Sequence, residues 1–319
     1  MKEFNNNSRK LVISSHPISS LFKNKIRNIC GKEIIFKNIL TIKEGKSNFQ
    51  FIQYLIGLNY LEVIIAIEDD SYFNYIPILK MISFFIRCST FKIINSDLNL
   101  RIIKRVNIII EVKKILYFSL LNLFYFYKLK ASLFFISNKK NNYKVISRDT
   151  NNLKILYILS FFGLIAGGSV GHISGVINSF SRKGHKVFVS TFNKLRTVDS
   201  NTDYILIKKP ISGLFNNLNL IRFQFMLYKK IIAYFNNIRY IDFIYQRITL
   251  TAFVGVYISK IFNIPLIAEY NGSEVWASKN WSSRATKNFK FLNYLENYFL
   301  RNADLIVTIS DVLRDELVN

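Results

Sequence analysis

Three groups of residues in the second half of the chain are of types and spacings that could do chemistry together. The first is Gly167-Gly168-Ser169, with His172 one helical turn further on. Glycines let backbone amides come close to a ligand, and a helix that starts there offers unpaired N–H groups and positive potential, so an anionic phosphate is the natural guest. The second is Arg247, at the end of the apolar run that begins at Tyr240. The third is Glu269 with Asn271, Gly272 and Glu274, which follows Ile264-Pro265-Leu266-Ile267-Ala268. A Gly-Gly pair alone carries little weight, because tight turns need glycine anyway. A His one turn into a helix is also an ordinary polar surface residue, so spacing alone leaves its role open.

The elements that must position these groups read as an α/β alternation. Lys154 to Ser160 is a strand, Phe161 to Ser169 a loop and Val170 to Lys183 a helix, closed by Gly184 and followed by the strand Lys186 to Thr191. Tyr240 to Arg247 is a second strand leading to a polar turn, Phe253 to Phe262 a helix, and Ile264 to Glu274 a strand ending in a polar loop. In parallel α/β sheets ligands bind outside the carboxyl ends of strands, and Arg247 and Glu269 to Glu274 lie at such ends. Gly168, His172, Arg247 and Glu269 are therefore expected to meet in one cleft. Residues 1–100 alternate in the same way: Leu11 to Ser14 and the nearly continuous β-branched Leu61 to Ile67 read as buried parallel strands, Tyr75 to Arg87 as a helix and Phe91 to Asn95 as a strand. The fold class expected is α/β, with Rossmann-like parallel sheets in two domains.

The string Gly167-Gly168-Ser169-Val170-Gly171-His172, followed by Gly184-His185-Lys186-Val187 at the turn into the next strand, resembles the opening of glycosyltransferase family 4. Asp242-Phe243-Ile244-Tyr245-Gln246-Arg247, Ile264-Pro265-Leu266-Ile267-Ala268-Glu269 and Ala303-Asp304-Leu305-Ile306 through Ser310 continue that resemblance in the family's order. Many members carry a His after the third of these strands, where this chain has Tyr270-Asn271-Gly272. The resemblance covers residues 153–319 and implies the N-terminal, acceptor-side half of a GT-B fold. It implies transfer of a sugar, with retention, from a nucleotide-sugar donor to a glycan or lipid-linked acceptor, in the manner of cell-envelope polysaccharide synthesis. No cofactor or metal is implied beyond the donor itself. On this reading His172 and Glu269 are catalytic, Gly167, Gly168 and Ser169 lie by the donor phosphates, and Arg247, Asn271, Gly272 and Glu274 contact substrate. His185, Asp304 and Ser310 read as structural, the last as a helix cap. The family's donor half, with its basic pair and Glu-x7-Glu signature, has no counterpart in the sequence. The expectation is that a separate C-terminal half is needed for activity.

Composition sets outer bounds. A chain of 319 residues with 50% apolar content can build two cores. Two cysteines, Cys30 and Cys88, are too few for a disulfide framework or a zinc site. Against 20 acidic residues stand 44 basic ones, a formal charge of +24, which favours anionic partners. Joint enrichment in Lys, Asn, Ile, Phe and Tyr would equally follow from an A/T-rich genome, and no aromatic-basic RNA-binding motif is present, so nucleic acid is not expected as a partner. The first 20 residues hold no secretory-type apolar core, so a cytoplasmic protein is expected. Ile115 to Tyr127 is thirteen residues without a charge, flanked by Lys113, Lys114, Lys128 and Lys130. That is short of the roughly 20 residues of a span and suits a helix lying in an anionic membrane interface, or a helix packed inside the protein. The domains expected are 1–100, a Rossmann-like unit of unassigned role; 101–150, a helical segment and polar linker; and 151–319, the family 4-like domain. A non-enzymatic, membrane-associated glycan-binding module is the alternative function.

Overall fold

The computed structural model describes residues 9–68, 75–137, 152–160, 168–199, 202–207, 213, 216–235, 240–280 and 288–318. They fall into two compact units, one formed from residues 1–120 and 211–216, the other from 121–210 and 217–319. Both are α/β with parallel strands, as the alternation of apolar runs and amphipathic segments requires.

The first unit contains β1 (Lys10–Ser14), α1 (Ser20–Cys30), β2 (Ile34–Asn38), α2 (Ile39–Lys43), α3 (Asn48–Ile56), β3 (Asn59–Ala66), α4 (Ile76–Phe84), β4 (Arg87–Ile94) and β5 (Leu100–Ile103). The sheet order is β2-β1-β3-β4-β5, parallel except for the last pair. Leu11, Val12, Ile13, Val63 and Ile64 are fully buried, which is why those runs lack polar alternation. The acidic Glu68-Asp69-Asp70 reads in the sequence as the end of β3; Asp69 and Asp70 lie outside the described residues.

A single helix, α5 (Arg105–Ser137), contains the whole charge-free run and extends well beyond it in both directions. Ile108 packs in the core of the first unit, and Leu129 and Leu133 in that of the second. Most of the polar linker expected over 141–152 lies outside the described residues.

The second unit contains β6 (Lys154–Ile158), α6 (Gly168–Arg182), β7 (Lys186–Thr191), β8 (Asp203–Leu206), α7 (Asn216–Phe235), β9 (Phe243–Arg247), α8 (Val254–Phe262), β10 (Leu266–Tyr270), α9 (Glu274–Asn280), α10 (Phe289–Arg301), β11 (Leu305–Thr308) and α11 (Asp311–Val318). Its sheet order is β11-β10-β9-β6-β7-β8, parallel throughout. Helix α6 starts at Gly168, so Gly168 and Ser169 form its first turn and are not part of the preceding loop as expected. A glycine is tolerated there because the first-turn amides have no intrahelical partner to lose.

Side chains sort by strand register onto two faces. Tyr157 lies beside Tyr245, and Tyr245 beside Ile267, facing α6 with Ile155, Val187 and Val189. Leu156, Ile158, Ile244 and Ala268 face the other way, into a core built with α5, α7, α8 and α10. Aspartates pin the strand starts. Asp242 accepts from the Lys154 amide at 2.7 Å, and Asp304 from the Leu266 amide at 2.7 Å. Ser310 caps α11 through the Leu313 amide, and His185 accepts from the Leu153 amide. On the α8 face Gln246 accepts from the Gly255 amide at 2.7 Å, and a side chain at Gly255 would run into Gln246 and Leu266.

Candidate active site

The register that pairs Glu269 with Arg247 places both two residues beyond the Tyr245–Ile267 pair, on the α6 face and at the carboxyl end of the sheet. Glu269 is 1% exposed. One of its oxygens, Oε1, lies 3.1 Å from His172 Nε2, 2.9 Å from Asn271 Nδ2 and 3.7 Å from Arg247 Nε. Tyr157 donates its hydroxyl to Oε2 at 3.3 Å. A carboxylate this deep is tenable because a guanidinium, an amide and a phenol share its charge. Burial pushes the Tyr157 phenol well above its ordinary value, and the neighbouring Glu269 charge adds to the rise. Tyr245 is raised by the same two causes in the same order. Both stay protonated donors at every physiological pH.

His172 sits in the second turn of α6 with its side chain 42% exposed, so its imidazole reaches from a surface helix down to a buried carboxylate. Gly168 lies four residues earlier on the same helical face, exposed, and among the described residues nothing occupies the space where a side chain would stand. Ser169 is exposed on the same first turn. Gly167 lies outside the described residues.

The loop after β10 is held from behind. Glu296 on α10 accepts from the Ser273 hydroxyl at 2.6 Å and from the Glu274 and Val275 amides at 2.9 and 3.3 Å. Gly272 sits at φ +110°, a backbone region that favours glycine. Burial raises the Glu274 carboxyl above its usual value; the Arg247 charge opposes this and the Glu296 charge adds to it.

On the other face of the sheet, at the same strand ends, is a cavity of about 190 Å³. Phe192, Leu220, Phe223 and Leu227 give it apolar walls, while Ser160, Gln224, Thr249 to Thr251 and Glu274 add polar groups.

Residues 166–319 match the sequence model of Glycosyltransferase Family 4. Just under half of the chain is therefore similar to glycosyltransferase family 4. No curated protein matches the chain. Among solved structures it is similar to an NAD-bound D-isomer specific 2-hydroxyacid dehydrogenase from Lactobacillus delbrueckii ssp. bulgaricus, at 12% identity and a TM-score of 0.25 over 94% of this chain and 88% of that one. It is also similar to a glycosyl transferase family 9 protein from Veillonella parvula, at 9% identity and a TM-score of 0.20 over 93% of this chain and 99% of that one. Likenesses this weak carry no argument about function.

Within the matched residues, the structure brings His172, Arg247, Glu269 and Asn271 into one cluster, with Gly168 one turn from His172. Glu274 belongs to the neighbouring cavity, and Gly272 shapes the loop between the two. Sequence reading gave Tyr157, Tyr245 and Glu296 no role in the site, although Tyr245 stands in one of the motifs that carry the resemblance. The two tyrosines look like ordinary strand residues until register sets them beneath a buried carboxylate. Gln224 and Ser160 were passed over as well; an isolated Gln in an apolar helix was the one available signal.

Proposed function

We propose that the family 4 domain is the acceptor-side half of a retaining glycosyltransferase, acting on a glycan or lipid-linked acceptor with a nucleotide sugar as donor. The observation that carries this reading is the His172–Glu269–Arg247 cluster at the strand ends of a domain that matches the family. Glu269 is buried and saturated with partners, so it acts through His172, fixing the ring through Nε2 and leaving Nδ1 for a sugar hydroxyl. The first turn of α6, with Gly168 and Ser169 exposed and Gly167 just before it, would face the donor phosphates. Asn271, Gly272 and Glu274 would line the acceptor side. The charge that builds on the departing diphosphate needs preorganised donors, which amides and Arg247 can supply. The donor itself would be held by a second α/β half carrying the basic pair and Glu-x7-Glu signature.

The test is sugar transfer by the chain together with such a half, from a panel of labelled nucleotide sugars into a bacterial lipid and glycan extract. A labelled product whose anomeric configuration matches the donor's is expected. A product of inverted configuration, or no transfer from any donor in the panel, would count against the reading.

Attachment to the inner membrane face is part of the same proposal. Among the described residues no helix is long and apolar enough to cross a membrane. Within the second unit α5 leaves Phe124, Tyr127, Phe134 and Phe135 exposed on one face, with Lys128 beside them. Aromatic rings with a lysine at their edge suit the headgroup layer of an anionic bilayer, where burial and charge attraction add. The protein should float with vesicles containing anionic phospholipid, and replacing Phe124, Phe134 and Phe135 together by Ser should abolish most of that recovery. Equal flotation of the triple variant would remove α5 from the account.

A further inference from the structure

Among the described residues, the cavity beside Glu274 holds two polar atoms without a hydrogen-bond partner. Gln224 is 4% exposed and Ser160 8%, and among the described residues neither Gln224 Oε1 nor Ser160 Oγ has a hydrogen-bond partner. A buried amide oxygen without a donor is costly, and native proteins keep few of them without a reason. Both atoms belong to residues lining the cavity, so a guest with N–H or O–H groups would satisfy them.

The rest of the lining narrows the class of guest. Among the described residues no Lys or Arg lines the cavity, and the one ionisable group there is the Glu274 carboxyl, which would repel a phosphate. Diphosphates are thereby disfavoured, although the chain as a whole is strongly basic. A purely hydrocarbon guest would leave Gln224 and Ser160 unpaired. Phe192, Phe223 and Leu220 offer apolar walls of the kind on which the C–H face of a pyranose ring packs. The volume of about 190 Å³ suits one such ring and not an oligosaccharide.

We infer that this cavity is a subsite for a single neutral sugar ring of the acceptor, with Gln224 and Ser160 reading its hydroxyl or amide hydrogens and Phe223 its apolar face. The word acceptor rests on the transferase reading above; the preference for a neutral sugar does not. Gln224 reaches the cavity from α7 and Ser160 from the end of β6, so the subsite lies across the strand ends from His172.

Saturation-transfer NMR on the full chain tests this with neutral methyl hexosides (gluco, galacto, manno and their N-acetylamino forms) and with UDP as the anionic probe. At least one hexoside should receive saturation, most strongly on its ring C–H protons, and excess UDP should not displace it. Gln224→Leu should weaken binding by about tenfold, the loss expected for one hydrogen bond to a buried group. Ser160→Ala removes a single hydroxyl, is compatible with the same fold, and should weaken it several-fold. Silence from every hexoside, displacement by UDP, or binding unchanged in both variants would overturn the proposal. Because no donor or turnover enters the measurement, hexoside binding without sugar transfer would sink the transferase reading alone. Transfer without hexoside binding would sink only the subsite.

Discussion

Glu269→Ala is expected to destabilise the second unit by about 3–5 kcal/mol, the range for removing one partner of a buried ion pair. The Arg247 side chain is only 12% exposed and would lose the carboxylate 3.7 Å from its Nε. Asn271 and Tyr157 would lose their acceptor at the same time. Glu269→Gln keeps an oxygen for Asn271 or Tyr157 and should lose less. The two units need not unfold together, so the measurement must see one of them. Both tryptophans of the chain, Trp276 and Trp281, fall in the residue range of the second unit, so urea unfolding followed by tryptophan emission reports on it. A loss below about 1 kcal/mol for the alanine variant would mean that the cluster is solvated in solution, because exposed pairs are worth no more than that.

How much of this was legible in the sequence depended on whether a residue's partners are near it along the chain. The buried central strands announced themselves, since Leu11 to Ser14, Leu61 to Ile67 and Lys154 to Ser160 are apolar without alternation. Edge strands did not: β2 is only half-buried along its length and β8 alternates poorly, so neither carried enough apolar signal to be read. Helix α7 was passed over because its apolar residues surround it on nearly all sides, which blurs the helical period. Glu269 was found from its position at a strand end. The reason it can be buried, with Tyr157 at 3.3 Å and His172 at 3.1 Å, lies in contacts across 112 and 97 residues of chain, which no local pattern encodes. Glu296 teaches the same lesson. It stands in a stretch that resembles the family, yet its use as an acceptor for three donors at the start of α9 appears only once α9 and α10 are packed together.

His172→Ala should separate catalysis from folding in a way that no substitution at Glu269 can. The imidazole is 42% exposed and projects from a surface helix, so its loss removes little buried area, and the stability of the second unit should change by about 0.5 kcal/mol or less. Glu269 would keep Asn271, Tyr157 and Arg247, which together still share its charge. Turnover is another matter. A side chain that hydrogen bonds the reacting hydroxyl and holds its proton contributes roughly 10²–10⁴-fold, and kcat for sugar transfer by the two-half enzyme should fall by about that factor. If His172 acts mainly as the chemistry proceeds, KM for both substrates should move little. If it only binds the donor or acceptor, KM should rise while kcat stays near its starting value. His172→Asn adds a control, since an amide can still reach Glu269 but presents a much weaker base to the hydroxyl. The asparagine variant should therefore match the parent in stability and the alanine variant in kcat. Parental turnover in the alanine variant would remove His172 from the mechanism and leave it as a surface partner of Glu269.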